Sequence, residues 1–413
     1  MGGLAPAGGE YHTFGYPDAL EPLTVDCALS PRIRSLADWL VLTGASFPGL
    51  DELFRASVDR LASIGLPLDR VSLNLEFLHP EVSGEGREWL RDQEMRHHRV
   101  NRADGNIEDY VNSPIYVVDQ TGQPYRVRLD REETVMPLLQ RLQREGYTDY
   151  VAHPFRFQDT QRTAAITFAT KQAGGFSDAD FVDITKFVAA FTAPVEARVV
   201  RTIAKDLLST YLGDGVGARV YDGAIVRGDY ESIFAAVWFC DLRGFTAFTQ
   251  ENLNEDVIRR LNCWFGLAVQ AVEAHGGEVL KFMGDGMMAI FPADAMDPRV
   301  ACGHALAACA DLSRSVAAWN ESPPKGQVPM DYGLSLHLGY VAFGNIGGPR
   351  RLDFTVVGPA VNVASRLMDV AKALNRRVVV SQAFAGCSGR EFTPLGTHEL
   401  RGLSKPEPVF GVD

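Results

Sequence analysis

Residues 234–246, Phe-Ala-Ala-Val-Trp-Phe-Cys-Asp-Leu-Arg-Gly-Phe-Thr, begin as an uninterrupted apolar run and turn polar at Asp241. A run with no polar alternation is the mark of a buried strand, here ending in a glycine-containing turn that leads into a helix. Such a turn sets a carboxylate at the strand end and aims the backbone N–H groups of Leu242 to Thr246, those of Gly244, Phe245 and Thr246 among them, outward, where a polyphosphate could accept their hydrogen bonds. One carboxylate beside such a nest suits a metal–nucleotide. Alone, the segment equally suits a plain strand-to-helix turn with Asp241 as the helix cap.

Two further segments bear on that choice. Residues 277–292, Gly-Glu-Val-Leu-Lys-Phe-Met-Gly-Asp-Gly-Met-Met-Ala-Ile-Phe-Pro, read as a hairpin turning at Gly284-Asp285-Gly286. Gly-Asp-Gly needs no metal to explain it. Lys281, however, is a charge inside an apolar strand; if that strand is central, its ammonium needs a partner, and a ligand base could provide one. In residues 352–367, Leu-Asp-Phe-Thr-Val-Val-Gly-Pro-Ala-Val-Asn-Val-Ala-Ser-Arg-Leu, a strand passes through Gly358-Pro359 into a helix. Asn362 and Arg366, four apart, share a helix face there, although an amide and a guanidinium on a helix are most often simply solvated.

Together these segments closely resemble the catalytic domain of class III adenylyl and guanylyl cyclases, in family order from about Phe234 to the end of the chain. The resemblance implies an α/β (α+β) fold with a ferredoxin-like catalytic core and the conversion of ATP to 3′,5′-cyclic AMP and pyrophosphate. It also implies two Mg²⁺ or Mn²⁺ ions held by Asp241, Asp285 and the backbone carbonyl of Leu242. By the same resemblance Lys281 and Thr355 face the base, Asn362 orients the ribose and Arg366 stabilises the transition state. Adenine offers an acceptor at N1 and a donor at N6, which a lysine and a hydroxyl satisfy, whereas guanine reverses both needs; ATP is therefore the expected substrate. Thr at position 355 is similar to the class IIIb subgroup, which makes bicarbonate a candidate regulator. Pro359 departs from the Asp or Asn of many relatives. With one catalytic domain per chain, the resemblance implies a homodimer with sites shared across its interface. A guanylyl cyclase and a catalytically silent cyclase-like module are the alternatives.

The N-terminal half reads differently. Residues 1–30 are rich in Gly, Pro and Ala and suggest a mobile arm. Apolar spacing predicts two helices between Ile33 and Ile64, broken at Pro48-Gly49, and a strand at 70–78 with Val71, Leu73, Leu75 and Phe77 on one face. Ile115–Val118, Tyr125–Leu129 and Ala164–Thr170 read as strands, and Phe176–Arg198 as a helix capped at Ser177. This pattern resembles the GAF family of small-ligand sensors over residues 31–200, with an unknown signal. Residues 201–232 read as a helix followed by a compact turn or hairpin, a linker or transducer to a catalytic domain at 233–413.

A formal charge of −12 opposes binding to nucleic acid or anionic membrane. Apolar residues at 46% and charged residues at 22% fit an ordinary globular chain. No apolar run reaches the roughly 20 residues of a membrane span, the six cysteines form no CxxC pair, and Pro6 stands where a myristoylation signal wants Ser or Thr. A soluble, cytoplasmic protein is expected.

Overall fold

The computed structural model describes residues 30–76, 82–101, 107–155, 157, 164–293, 297–324, 327–403 and 405–412. The expected arm, but for Ser30, lies outside these residues, as does Phe77. The chain divides into two compact units, Met1–Val200 and Arg201–Asp413. No helix among the described residues is long and apolar enough to cross a membrane.

Unit 1 opens with helices α1 (Pro31–Thr43) and α2 (Leu50–Ser63), separated at Pro48-Gly49. Strands β1 (Arg70–Glu76), β2 (Val82–Leu90) and β3 (Arg96–Asn101) follow, then α3 (Ile107–Val111), α4 (Pro114–Thr121), β4 (Tyr125–Val127), α5 (Pro137–Arg144), β5 (Asp149–Pro154) and β6 (Ala164–Thr170). The strands form one antiparallel sheet in the order β3-β2-β1-β6-β5-β4. Val71, Leu73 and Leu75 are buried on one face of β1 as the alternation requires. The other face is also covered: Val118 of α4 and Leu139 and Leu142 of α5 pack with Tyr150 and Ala152 of β5. Arg70 and Ser72, which simple alternation would leave to water, are consequently buried.

Two expectations for this half are corrected. Ile115–Val118 lies in helix α4, not a strand: Ser113 accepts from the Tyr116 N–H and Pro114 sits at the first turn, so local capping outweighs the β-branched residues. The helix expected to end at Arg198 runs on, as α6 (Asp178–Leu212), and α7 (Asp214–Tyr221) forms where a turn or hairpin was expected. Ser177 and Asp180 close a reciprocal capping box at the start of α6.

Unit 2 continues with β7 (Tyr230–Leu242), α8 (Phe245–Glu251), α9 (Asn254–Glu273), β8 (Glu278–Met283), β9 (Gly286–Pro292), α10 (Pro298–Glu321) and β10 (Tyr332–Gly348). After these come β11 (Arg351–Val357), α11 (Pro359–Ala373), β12 (Val378–Ser381), α12 (Gln382–Ser388), β13 (Thr393–His398) and β14 (Glu407–Gly411). Within the sheet, β10-β7-β9-β8 run side by side with antiparallel neighbours. Read in chain order, β7-α9-β8-β9-α10-β10 is a βαββαβ unit with its first and third strands central, the ferredoxin-like topology.

Both faces of β7 are covered, which is why its sequence lacks alternation. Ala236, Trp238 and Cys240 pack against Trp264 and Ala268 of α9 and Ala305 of α10. Ala235, Val237 and Phe239 pack with Ala360 and Ala364 of α11. Val216 of α7 joins this second cluster, so the segment read as a linker contributes to the core of unit 2.

Candidate active site

The pairing of β7 with β9 brings two carboxylates together. Cys240 lies opposite Met287, so the strand end at Asp241 meets the tight β8–β9 turn, where Met283 pairs with Gly286 and Gly284 takes φ +66°. Residue 284 is the first of two loop residues, where a positive φ favours glycine. Asp285, the second, is close enough for its carboxyl to hydrogen-bond that of Asp241. Asp241 is exposed at the strand end, yet partial desolvation, followed by the Asp285 carboxyl, raises its own carboxyl to about 7. The Trp264 indole, buried on α9, donates from Nε1 to the Asp285 backbone carbonyl at 2.9 Å and holds the turn in place.

The turn after β7 is tied down as firmly. Arg243 donates to Asn375 Oδ1 at 2.6 Å, to the Arg376 carbonyl at 2.5 Å and to the Ala371 carbonyl at 3.4 Å. It thus satisfies carbonyls around the C-terminal end of α11, a position suited to a cation. Gly244, at φ +69°, starts α8 without a side-chain cap. The N–H groups of Phe245 and Thr246 fall in its first turn, where no intrahelical acceptor is available.

For Lys281 the expected reason for a ligand is corrected. Its strand, β8, is the edge of the sheet rather than central. Asp353 of β11 reaches Lys281, accepting from its Nζ at 2.7 Å. The ammonium therefore already has a partner within the chain. Thr355 lies two residues beyond Asp353 on the same strand, hence on the same face. It is buried, and its hydroxyl has no hydrogen-bond partner among the described residues. Lys281 and Thr355 therefore attach to one ion-paired corner.

Asn362 and Arg366 are one turn apart on α11. Both are on the outer side of α11, Asn362 exposed and Arg366 in a loose 3.9 Å contact with Asp369. Pro359, the unusual residue of this segment, takes the first helical position after Gly358, where its missing N–H does no harm. Lys372, at the far end of α11, is the residue whose charge acts on Asp241. At 1.5 Å rise per residue, Asn362 is about 15 Å and Arg366 about 9 Å along the helix from Lys372.

The acid pair fits a divalent cation. Two carboxyls in contact repel when both ionise, and either a shared proton or a cation relieves this. No group of three or more His, Cys, Asp or Glu side chains that could hold a metal gathers among the described residues. Asp241, Asp285 and the Leu242 carbonyl would therefore leave several positions to water or substrate oxygens, as Mg²⁺ commonly does.

Sequence reasoning assigned no role to Trp264, Arg243 or Asp353. Asp353 had a usable signal, since it is an acid two residues before Thr355 on an otherwise apolar strand. Trp264 and Arg243 had none, because their partners are backbone carbonyls distant in sequence.

Residues 229–410 match the family described as the adenylate and guanylate cyclase catalytic domain. Among curated proteins, adenylate cyclase 1 of Rhizobium meliloti is 28% identical over 261 residues, covering 60% of this chain and 38% of that protein. The chain spans well under half the length of the curated relatives it matches. Two solved structures are similar to part of the chain. The adenylyl cyclase CyaB from P. aeruginosa is 23% identical, with a TM-score of 0.39, covering 45% of this chain and 96% of that one. The guanylyl cyclase Cya2 is 26% identical, with a TM-score of 0.40, covering 45% and 94%.

Proposed function

We propose that residues 229–410, which match the adenylate and guanylate cyclase catalytic domain family, convert ATP to 3′,5′-cyclic AMP and pyrophosphate. The observation that carries the reading is the Asp241–Asp285 pair: two carboxyls brought close at the meeting of two strand ends, with Asp241 raised to about 7 by desolvation and by Asp285. Such a pair is an unfavourable arrangement in a purely structural role and a favourable one beside cations.

In the reaction, the ribose O3′ forms a bond to the α-phosphorus as the bond from that phosphorus to pyrophosphate breaks, and the 3′-hydroxyl gives up its proton. Mg²⁺ or Mn²⁺, held by Asp241, Asp285 and the Leu242 carbonyl, would ease that deprotonation and share the triphosphate charge. The N–H groups of Phe245 and Thr246, in the first turn of α8 where no intrahelical acceptor is available, would donate to the phosphate oxygens. Arg366 would present its planar guanidinium to the charge that develops at phosphorus, and Asn362 would orient the ribose.

Base choice rests on the corner of Lys281, Asp353 and Thr355. Asp353 accepts from Lys281 Nζ at 2.7 Å and so aims the ammonium, which suits donation to adenine N1. The unpaired Thr355 hydroxyl suits acceptance from N6–H, since a buried hydroxyl without a partner is unfavourable until a ligand supplies one.

The spacing along α11 supports a site completed by a second copy of the chain. The charge of Lys372 acts on Asp241, whereas Asn362 is about three turns along α11 from Lys372, on an outer surface. A twofold dimer lets the carboxylates of one chain and the α11 residues of its partner address one nucleotide. The deciding experiment is product analysis with purified protein, supplying ATP or GTP with Mg²⁺ or Mn²⁺ beside an Asp285→Ala control. Cyclic AMP from the unsubstituted chain alone supports the reading; cyclic GMP as the main product, or no product from a verified folded dimer, overturns it.

A further inference from the structure

Unit 1 contains a polar cavity that the cyclase reaction does not use. Its volume is about 350 Å³, at the small end of the range for metabolite sites. The floor is the face of the sheet under α4 and α5. Register places Ser72 of β1 between Glu88 of β2 and Thr167 of β6, with Arg70 and Tyr150 alongside, and all five line the cavity. Ile115 and Leu138 give it apolar edges, and Arg141 of α5 stands at its rim.

The floor is incompletely satisfied. Arg70 donates from Nε to Glu88 at 2.5 Å and from Nη1 to Thr167 at 3.4 Å. Among the described residues no hydrogen bond engages its Nη2. The Tyr150 hydroxyl is fully buried; it lies close to that of Thr167 but forms no hydrogen bond of normal geometry. Burial pushes this phenol up to about 12, so it keeps its proton and remains a donor in search of an acceptor. A buried polar group left in this state needs an explanation, and a bound ligand is one.

Charge narrows the ligand class. Two guanidinium groups, Arg70 and Arg141, face the cavity against one carboxylate, Glu88, which is already committed to Arg70. Burial and the nearby Arg70 hold His98, at the cavity edge, below the usual histidine range and therefore neutral at neutral pH. Arg141 is largely exposed and only loosely paired, 3.9 Å from Glu145, so it is free to turn onto a ligand.

We propose that this cavity binds a small organic anion, whose hydrogen-bonding body rests on Tyr150, Ser72 and Thr167 and whose carboxylate or phosphate is met by Arg141 and Arg70. The proposal concerns unit 1 alone and does not depend on unit 2 being a working cyclase.

The test is calorimetric titration of the full chain with malate and citrate as carboxylates, glycerol phosphate and inorganic phosphate as phosphates, and glycerol as the uncharged control. Saturable binding by one anion class and not by glycerol is expected, and the arm that binds identifies the acid group. Tyr150→Phe should weaken that binding about tenfold, the loss of one hydrogen bond, and Arg141→Ala at least as much. Because the hydroxyl has no partner in the free protein, Tyr150→Phe should leave the unfolding temperature of the ligand-free chain unchanged or higher. Asp285→Ala should leave anion binding intact, separating this site from the nucleotide site. No saturable binding of either class, binding that survives both unit 1 substitutions, or a destabilised ligand-free Tyr150→Phe chain would overturn the proposal.

Discussion

The buried indole of Trp264 donates its N–H to the backbone carbonyl of Asp285 at 2.9 Å. A helix side chain thereby sets the height of a hairpin turn whose own side chain faces Asp241 across the strand ends. Trp264→Phe keeps an aromatic ring but removes the donor, leaving a carbonyl without its partner at a cost of about 1–3 kcal/mol. Mn²⁺ affinity, measured by titration, should fall together with turnover, by about tenfold, while the chain stays folded at assay temperature.

The raised carboxyl of Asp241 makes metal-free stability depend on pH. Its ordinary value is 3.8 and its folded value about 7, raised by burial first and by Asp285 second. Between these values the folded chain binds more protons at this site than the unfolded chain, so stability declines as pH rises from about 4 to about 7. Thermal unfolding across that window should show a downward slope without metal. Asp285→Asn, which removes the like charge but not the burial, should reduce it, and Mn²⁺ should bind more tightly as pH rises because it displaces the proton.

Asp353→Asn should separate specificity from stability. The Lys281–Asp353 pair is partly exposed, with side-chain accessibilities of 28% and 59%, so its loss should lower stability by less than about 1 kcal/mol. Lys281 would lose its aim, and the ratio of kcat/KM for ATP to that for GTP should fall several-fold, chiefly through KM for ATP. An unchanged ratio would remove this corner from base recognition.

Mixing Asp241→Ala chains with Arg366→Ala chains tests the shared site. In a mixed dimer one site carries both lesions and the other carries neither, and random pairing makes half of the dimers mixed. Activity should therefore recover to about a quarter of the unsubstituted level, although each variant alone is inactive. Assay of verified heterodimers gives the answer, and no recovery would argue for a site within one chain.

Much of unit 2 was legible in the sequence because its strands are strongly patterned. The unbroken apolar run of β7 requires cover on both faces, and packing against α9, α10 and α11 supplies it. The turn at Asp285 follows from Gly284 at a two-residue loop. Ile115–Val118 was misread because β-branched residues suggest strand, while Ser113 and Pro114 start a helix. That error and the turn or hairpin expected within residues 201–232, where α7 forms, share a cause: short segments carry too little periodicity to outweigh caps and tertiary contacts.

The sequence by itself determined which residue types unit 2 offers: acids at two turns, a lysine and a threonine each on an apolar strand, and an amide and a guanidinium one helical turn apart. It could do so because each of these is a local pattern of polarity against an apolar background. Only the tertiary structure decided that β8 is an edge strand and Lys281 is answered by Asp353, and that Arg243 and Trp264 brace the two acidic turns. It also decided that the polar face of β1 lies over a cavity rather than in water. These outcomes depend on strand order and on backbone carbonyls far away in the chain, and no periodicity encodes which distant carbonyl a side chain will reach.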